Sequence, residues 1–335
     1  MRTQFQKYIL LILITIFPLM TTLALPTLSN AIESSFLYTL SDFTGPFLIG
    51  GGLMIVDKDR NEAYIGYQNV IRIFNENGLE IYRFNEDNSL GRLTALAVDK
   101  DGTIFFLSYN DRGEYGIIRC NYRGEPMGRI EIAGLSSDFA DYQKFSPNQM
   151  AYREGQFYLA DARTLRIAVA DKNGHVQKTY DLIPLLDLKE SDRGDNEMGG
   201  FSVDSEGNML FTIPVLFSAT VLSPEGKVQN FGQPGSVPGK FGVVAGIIKD
   251  NKGNYLVADK LHSVVSVYDS NTRFLMEFGG RSNEPGSLII PDGLAVDGND
   301  RVYVTQGGNR GVSVFRLIYN SKHHSMMKEV NAGIE

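Results

Sequence analysis

Pro291-Asp-Gly-Leu-Ala-Val-Asp297, a turn at 298–300, Arg301-Val-Tyr-Val-Thr305, a loop at 306–310 and Gly311-Val-Ser-Val-Phe315 decide how this 335-residue chain folds. Apolar residues alternate with small or polar ones, the period-two pattern of strands whose successive side chains face opposite ways. Asp and Gly between the runs are turn formers. The stretch reads as strand, tight turn, strand, loop, strand.

The same unit recurs along the chain. Gly246-Ile-Ile-Lys-Asp250 leads to Asn254-Tyr-Leu-Val-Ala-Asp259 and Val264-Val-Ser-Val-Tyr268. First strands also appear at Gly200-Phe-Ser-Val-Asp204, Ala95-Leu-Ala-Val-Asp99 and Leu53-Met-Ile-Val-Asp57. A degenerate copy, Gln149-Met-Ala-Tyr-Arg153, precedes Gln156-Phe-Tyr-Leu-Ala-Asp161. The six turn positions are 57, 99, 153, 204, 250 and 297, with spacings of 42, 54, 51, 46 and 47. Four-stranded propeller blades repeat every ~40–50 residues. The expected fold is all-β: a six-bladed β-propeller of four-stranded blades. Small residues inside the first strands, such as Ala97, Ser202 and Ala295, suit inner strands that converge on one axis. Later turns such as Glu76-Asn77-Gly78 and Asn173-Gly174 introduce an outer strand, with Asn and Gly supplying the positive φ of short hairpins.

Phe231-Gly232-Gln-Pro-Gly235-Ser-Val-Pro-Gly239-Lys-Phe241 and the run from Phe278-Gly279-Gly280 through Pro285-Gly286-Ser-Leu288 to Pro291 lie between repeats. Together with Asp297, Tyr303 and Asn309-Arg310, they resemble the inter-blade signature of NHL-repeat proteins. The resemblance spans the mature chain and is strongest in the last copies. Arg153 stands where the pattern has an acid, and residues 211–220 lack the Asp before the third strand. In this pattern Phe241 and Leu288 plug gaps between blades, while Asp161 and Asp259 act as turn or inter-blade hydrogen-bonders.

The sixth copy runs out after its third strand, leaving an edge that would invite association. Phe36-Leu-Tyr-Thr-Leu40, followed by Ser41-Asp-Phe43-Thr-Gly45-Pro46, has the form of Phe274-Leu-Met-Glu-Phe278-Gly279 and no blade of its own. Residues 36–41 are therefore expected to complete the last blade, closing the ring with an N-terminal strand. The resulting organisation is a signal peptide over 1–31, a propeller over 32–318 and a polar C-terminal tail over 319–335.

The leader reading rests on Arg2 and Lys7, the apolar stretch from residue 8 to 25, and small residues Ser29-Asn30-Ala31 at a cleavage site. It implies export to the periplasm or the extracellular space; retention as an uncleaved anchor is the alternative. Cys120 is the single cysteine, which forms no internal disulfide and fits a small apolar strand residue. A net charge of −7 without a Lys/Arg cluster argues against nucleic acid.

Recognition is expected on the face carrying the second-to-third loops and the inter-blade linkers, since these vary in length while the other turns are short. Loop position alone points to Asn69, Tyr109, Arg112, Arg163, His262 and Arg310 as binding residues. The longest linker, 183–199, holds Asp187, Glu190, Asp192, Asp195 and Glu197 against Lys189 and Arg193. It suits a basic protein or Ca²⁺, but a solvated acidic loop explains it as well, and its spacing is not that of an EF-hand. The four His, His175, His262, His323 and His324, are not spaced as a metal site, and no nucleophile elbow or Walker loop occurs. No cofactor, metal or catalytic residue is therefore assigned. The expected role is a protein-binding scaffold, serving assembly of an exported complex. One alternative is an axial-metal lactonase-like or lyase-like enzyme with a site involving Asn69 or Asn148, neither of which the sequence singles out. The other is a carbohydrate or cell-wall binder, drawing on 16 Tyr and 20 Phe but no Trp.

Overall fold

The computed structural model describes residues 32–47, 52–137, 139 and 145–319. The expected leader over 1–31 and the tail from residue 320 lie outside these. The described residues form six four-stranded sheets and one two-stranded ribbon, Ser41–Asp42 with Gly45–Pro46. The chain crosses blade 1 over residues 53–84, blade 2 over 92–130, blade 3 over 149–181, blade 4 over 201–231 and blade 5 over 244–279. Blade 6 takes three strands from 291–319 and its fourth from Ile32–Thr39. Inner strands of successive blades neighbour one another around the ring, and that of blade 6 neighbours that of blade 1. The six-bladed propeller expected from the repeat spacing is the fold observed.

Each blade buries its two faces against its neighbours, so apolar clusters are shared by pairs of blades. Phe105, Leu107 and Ile117 of blade 2 pack with Phe157, Leu159 and Ala168 of blade 3. Met209, Phe211 and Leu222 of blade 4 pack with Ile167, Val169 and Tyr180 of blade 3. Phe241 is fully buried between blades 4 and 5, edge-on to Tyr268 with ring centroids 5.6 Å apart. Leu288, also fully buried, sits against Gly279.

At Gly200 and Gly246 the inner strands approach too closely for any side chain. A Cβ at Gly200 would lie 2.6 Å from the carbonyl oxygen of Ala245 in blade 5. One at Gly246 would collide with the carbonyl oxygen of Asp292 in blade 6. Between these strands Ser202 Oγ donates to the Ile247 carbonyl at 2.7 Å. The small residues of the first strands are thus a packing requirement.

Turn acids lock the first hairpin in every blade but the third. Asp250 Oδ1 accepts from the amides of Lys252 and Asn254, both at 2.8 Å. Asp204 does the same for Glu206 and Asn208, and its second oxygen takes Lys249 Nζ of blade 5 at 3.0 Å. Burial opposes the Asp204 charge, but these donors outweigh it and lower its pKa. Blade 3, with Arg153 in place of the acid, turns through Glu154 and Gly155, both at positive φ.

The closing strand begins at Ile32, four residues before the expected start, and ends at Thr39. Its first residues, Glu33-Ser-Ser35, suit an outermost strand that alternates toward solvent. Strand three of blade 6 extends to Tyr319, one residue past the expected boundary. Two side chains from the closing blade converge on one carbonyl of blade 1. Tyr38 Oη of the closing strand donates to the Glu76 carbonyl at 2.6 Å, and Arg301 of blade 6 donates to the same oxygen. Arg301 Nε is also 2.5 Å from Asp297 Oδ2, both side chains being almost wholly buried. The Ser41 amide donates to the Gly78 carbonyl and that of Leu40 to Val312. Leu40 itself is fully buried with Ile65 and Phe74 of blade 1 and Tyr303, Val312 and Val314 of blade 6.

Deleting residues 32–45 removes the closing strand, Leu40 and the Tyr38 bond together. A sharp fall in melting temperature is expected by calorimetry, and an unchanged melt would refute the closure scheme. Gly246→Val is expected to destabilise by about 1–3 kcal/mol, the scale of forced overpacking, read from the denaturant midpoint.

Candidate functional site

The linker and second-to-third loops share one face, and in blades 2 to 6 a buried side chain at the end of the second strand holds them. Asp259 is fully buried; its Oδ1 accepts from the amides of Leu261 and His262, both at 3.0 Å, and Val243 at 3.2 Å. Its Oδ2 takes the Gly242 amide at 2.6 Å and faces His262 Nδ1 at 3.0 Å. One carboxylate therefore fastens the blade 5 loop to the linker before it. Asp161 repeats this in blade 3, accepting from Arg163 and Thr164 within the loop and Ser146 in the linker. Other blades use different chemistry. Ser108 donates to the Leu90 carbonyl in blade 2, and Thr212 to the Ala245 carbonyl from blade 4. Gln306 accepts from the Ile289 amide in blade 6. The Asp missing from blade 4 is thus replaced by a threonine hydroxyl, with Pro214–Leu216 forming a single 3₁₀ turn ended by Phe217 at φ 51°.

The six loop residues singled out in the sequence all lie on this face, on the second-to-third loops of blades 1, 2, 3, 5 and 6. Asn69 adopts φ 65°, accepts from Asn85 through its carbonyl, and lines a cavity of about 330 Å³ with Tyr67, Gln68 and Arg92. Tyr109 is half-buried and donates to the Pro147 carbonyl at 2.7 Å; burial raises its pKa, keeping the hydroxyl a donor. Arg112, on the same loop, is exposed. Arg163 is exposed in blade 3. His262 is held by Asp259, and Arg310 donates to Asn283 Oδ1 at 3.3 Å. Asn69 Oδ1 also accepts from the Leu93 amide of blade 2 at 3.4 Å, while Tyr109, His262 and Arg310 bond within their own blade or its flanking linker. Asn148 accepts from the Ala162 amide at 3.0 Å, which gives it a structural use in blade 3.

The acidic linker is ordered by its own arginine. Asp181 caps the short helix Leu182–Leu185, and Arg193 reaches Asp181 at 2.8 Å, Glu190 at 2.6 Å and the Thr164 carbonyl. Hydrogen bonding to Glu190 raises the Arg193 pKa, and the same contact lowers that of Glu190. Asp192 accepts from the Lys189 amide and from Ser191 Oγ. Among the described residues no group of three or more His, Cys, Asp or Glu is placed to hold a metal. Cys120 lies far from this chemistry in kind: buried in the blade 1–2 core, its thiol is pushed up to about 12 by desolvation.

Sequence reasoning missed the most conspicuous feature of the face. Val215, Leu216, Phe217, Val237, Val243, Leu261 and Ile290 are all exposed, Leu261 at 67% and Val237 at 60%. Val215, Leu216, Phe217, Val243, Leu261 and Ile290 lie on the loops and linkers of blades 4 to 6, whereas the segment after Val237 runs beside Phe274 at the other end of blade 5. Pro214 and the Val244 carbonyl both border Gly199, Leu261 borders Gly242, and the Phe217 carbonyl borders Gly232. Lys260 joins the blade 5 loop to Asp292 at the start of blade 6 at 2.8 Å. The signal was present as apolar residues inside turn segments, where a loop gains nothing from them unless they are covered.

No family model matches the chain, and no curated protein matches it by sequence. Solved structures do resemble it in fold. A protein of unknown function from Bacteroides thetaiotaomicron superposes with a TM-score of 0.60 at 12% identity, covering 86% of this chain and 76% of that one. A streptogramin B lyase gives 0.52 at 12% identity over 86% and 97%. The WD40 β-propeller domain of Doa1 gives 0.50 at 14% identity over 85% and 83%. At these identities the likeness is one of architecture.

Asp259→Ala strips four backbone amides of their acceptor while the strands remain. It is expected to cost about 2–3 kcal/mol, the penalty of leaving buried donors unmatched. Amide exchange should accelerate first at Gly242 and His262; uniform exchange across blade 5 would show that the staple is not local.

Proposed function

We propose that this chain is an exported NHL-type propeller that docks another protein on its linker face, over blades 4 to 6. The observation that carries this reading is the exposed apolar set of Val215, Leu216, Phe217, Val243, Leu261 and Ile290. Contiguous exposed apolar surface on a folded domain marks an interaction site. The loops that bear it are fastened to the sheet by buried acceptors, so association orders little new backbone, which favours affinity. Lys240, Arg281 and Arg310 flank the sector in the neighbouring linkers and loop. An apolar partner surface rimmed by acids is the complement of such a patch.

Binding is favoured over catalysis by the way the loop residues are used. Asp161, Asp259, Asn148, Tyr109 and Gln306 hold backbone in place, which makes them supports of a surface. The NHL reading is supported by the linker motifs around Phe241 and Leu288, whose side chains fill the gaps between blades. Export is supported by the composition of residues 1–31.

Two measurements test this. Leu261→Asp combined with Val215→Asp, both at exposed positions, should abolish co-purification of the partner from native extract while leaving the melt within about 2 °C, as surface substitutions do. Retained co-purification would refute the sector as the contact. Protein isolated from its native compartment should begin at Ile32, read by N-terminal sequencing; a mature chain still starting at Met1 would overturn cleavage.

A further inference from the structure

We propose that the cleft between blades 1 and 2, on the short-turn face, is a binding site for a neutral oligosaccharide. The cleft has a volume of about 610 Å³, within the range of small-ligand sites. Ile81 and Tyr82 of the blade 1 outer strand form one wall, and Tyr122 and Arg123 of a blade 2 turn form the other. Arg60, Glu62, Tyr64 and Asp101 lie along it. Three of these aromatic or apolar side chains are largely open to solvent: Tyr122 at 61%, Ile81 at 51% and Tyr82 at 44%.

The walls are preset. Tyr82 Oη donates to the Arg123 carbonyl at 3.2 Å, tying blade 1 to the blade 2 turn. The Arg60 guanidinium is held by Asp57 at 2.7 Å and by the Lys100 carbonyl at 3.3 Å. Tyr64 donates to Glu62 at 3.3 Å. Arg123 lies 5.4 Å from the centre of the Tyr122 ring, which stiffens that turn further. Rigid rings with polar tips offer large contact at small entropic loss.

Charge selects the ligand class. Two cations, Arg60 and Arg123, share the cleft with two anions, Glu62 and Asp101. A phosphorylated or acidic ligand meets the carboxylates, and a basic one meets the guanidinium groups. Hydroxyls donate and accept, so a neutral polyol satisfies both signs while its apolar ring face lies on tyrosine. An extended peptide adding to either blade edge is disfavoured. The blade 2 outer strand Pro126–Ile130 contains a proline without an amide proton and Gly128 at φ 145°. The blade 1 outer strand carries a register break opposite Ile73 and Phe74, beside Glu80 clamped by Arg72 and Arg83.

This site lies on the face opposite the proposed protein-docking sector and does not rest on that reading. The test is calorimetric titration of the full-length protein with N,N′,N″-triacetylchitotriose, cellotriose and mannotriose, alongside a mixed-sequence peptide pool. Because the chain has no Trp, tyrosine emission provides an independent readout. At least one trisaccharide is expected to bind saturably, with Tyr122→Ala and Asp101→Asn each weakening it about tenfold, the scale of one lost contact. Both positions lie in turns of the cleft, so the melts should match wild type, and Leu261→Asp should bind normally. No saturable sugar binding at millimolar concentration, or binding that Tyr122→Ala leaves intact, overturns the proposal. Saturation by peptide in place of sugar, lost in Tyr122→Ala, also overturns it and assigns the cleft to a protein ligand.

Discussion

A four-stranded blade has two apolar faces and only its neighbours to bury them against. This constraint governs the rest of the molecule, because no blade can complete its own core. The shared clusters, such as Phe105 with Phe157 or Phe211 with Ile167, are therefore the unit of stability. Contact between blades is limited near the axis by backbone, which explains Gly200, Gly246 and Ser202, and is filled farther out by Phe241 and Leu288. Glycine appears at Gly246 because the adjacent blade occupies the place of a Cβ.

The same constraint makes closure decisive. A ring whose first and last blades do not meet exposes a complete blade face at each. Here the last blade borrows its outer strand from the other end of the chain. Tyr38 and Arg301, distant in sequence, converge on the carbonyl of Glu76 in blade 1. Burial works against the Arg301 charge, and Asp297 more than compensates, so its pKa is raised. A buried ion pair of this kind contributes less to net stability than to fixing one arrangement, since either charge alone would be costly.

Rigidity then separates support from recognition. Loops on the linker face are fastened by Asp161, Thr212, Asp259 and Gln306, different side chains that end at equivalent places in their blades. Polar loop residues such as Asn69 and Tyr109 hold backbone, and His262 faces the Asp259 carboxylate. What faces outward is instead apolar at blades 4 to 6, and aromatic with mixed charge between blades 1 and 2. The two surfaces lie on opposite faces, with chemistry suited to different ligands.

The repeat length, the alternating strands and the turn acids were readable from residue order, because they are local. Spacing of 42 to 54 residues among six copies determined the number of blades, and the orphan strand before blade 1 foretold the closure. Its start at Ile32 was not legible, since polar residues on an outermost strand carry no burial pattern. The two exposed surfaces were not legible either. Loop position identified Asn69, Arg112 and Arg310, but whether a loop side chain faces solvent or its own backbone depends on which linker folds against it. Tyr82 and Tyr122 are 40 residues apart and read as ordinary strand and turn positions. Only the packing of blade 1 on blade 2 brings them to the two sides of one cleft.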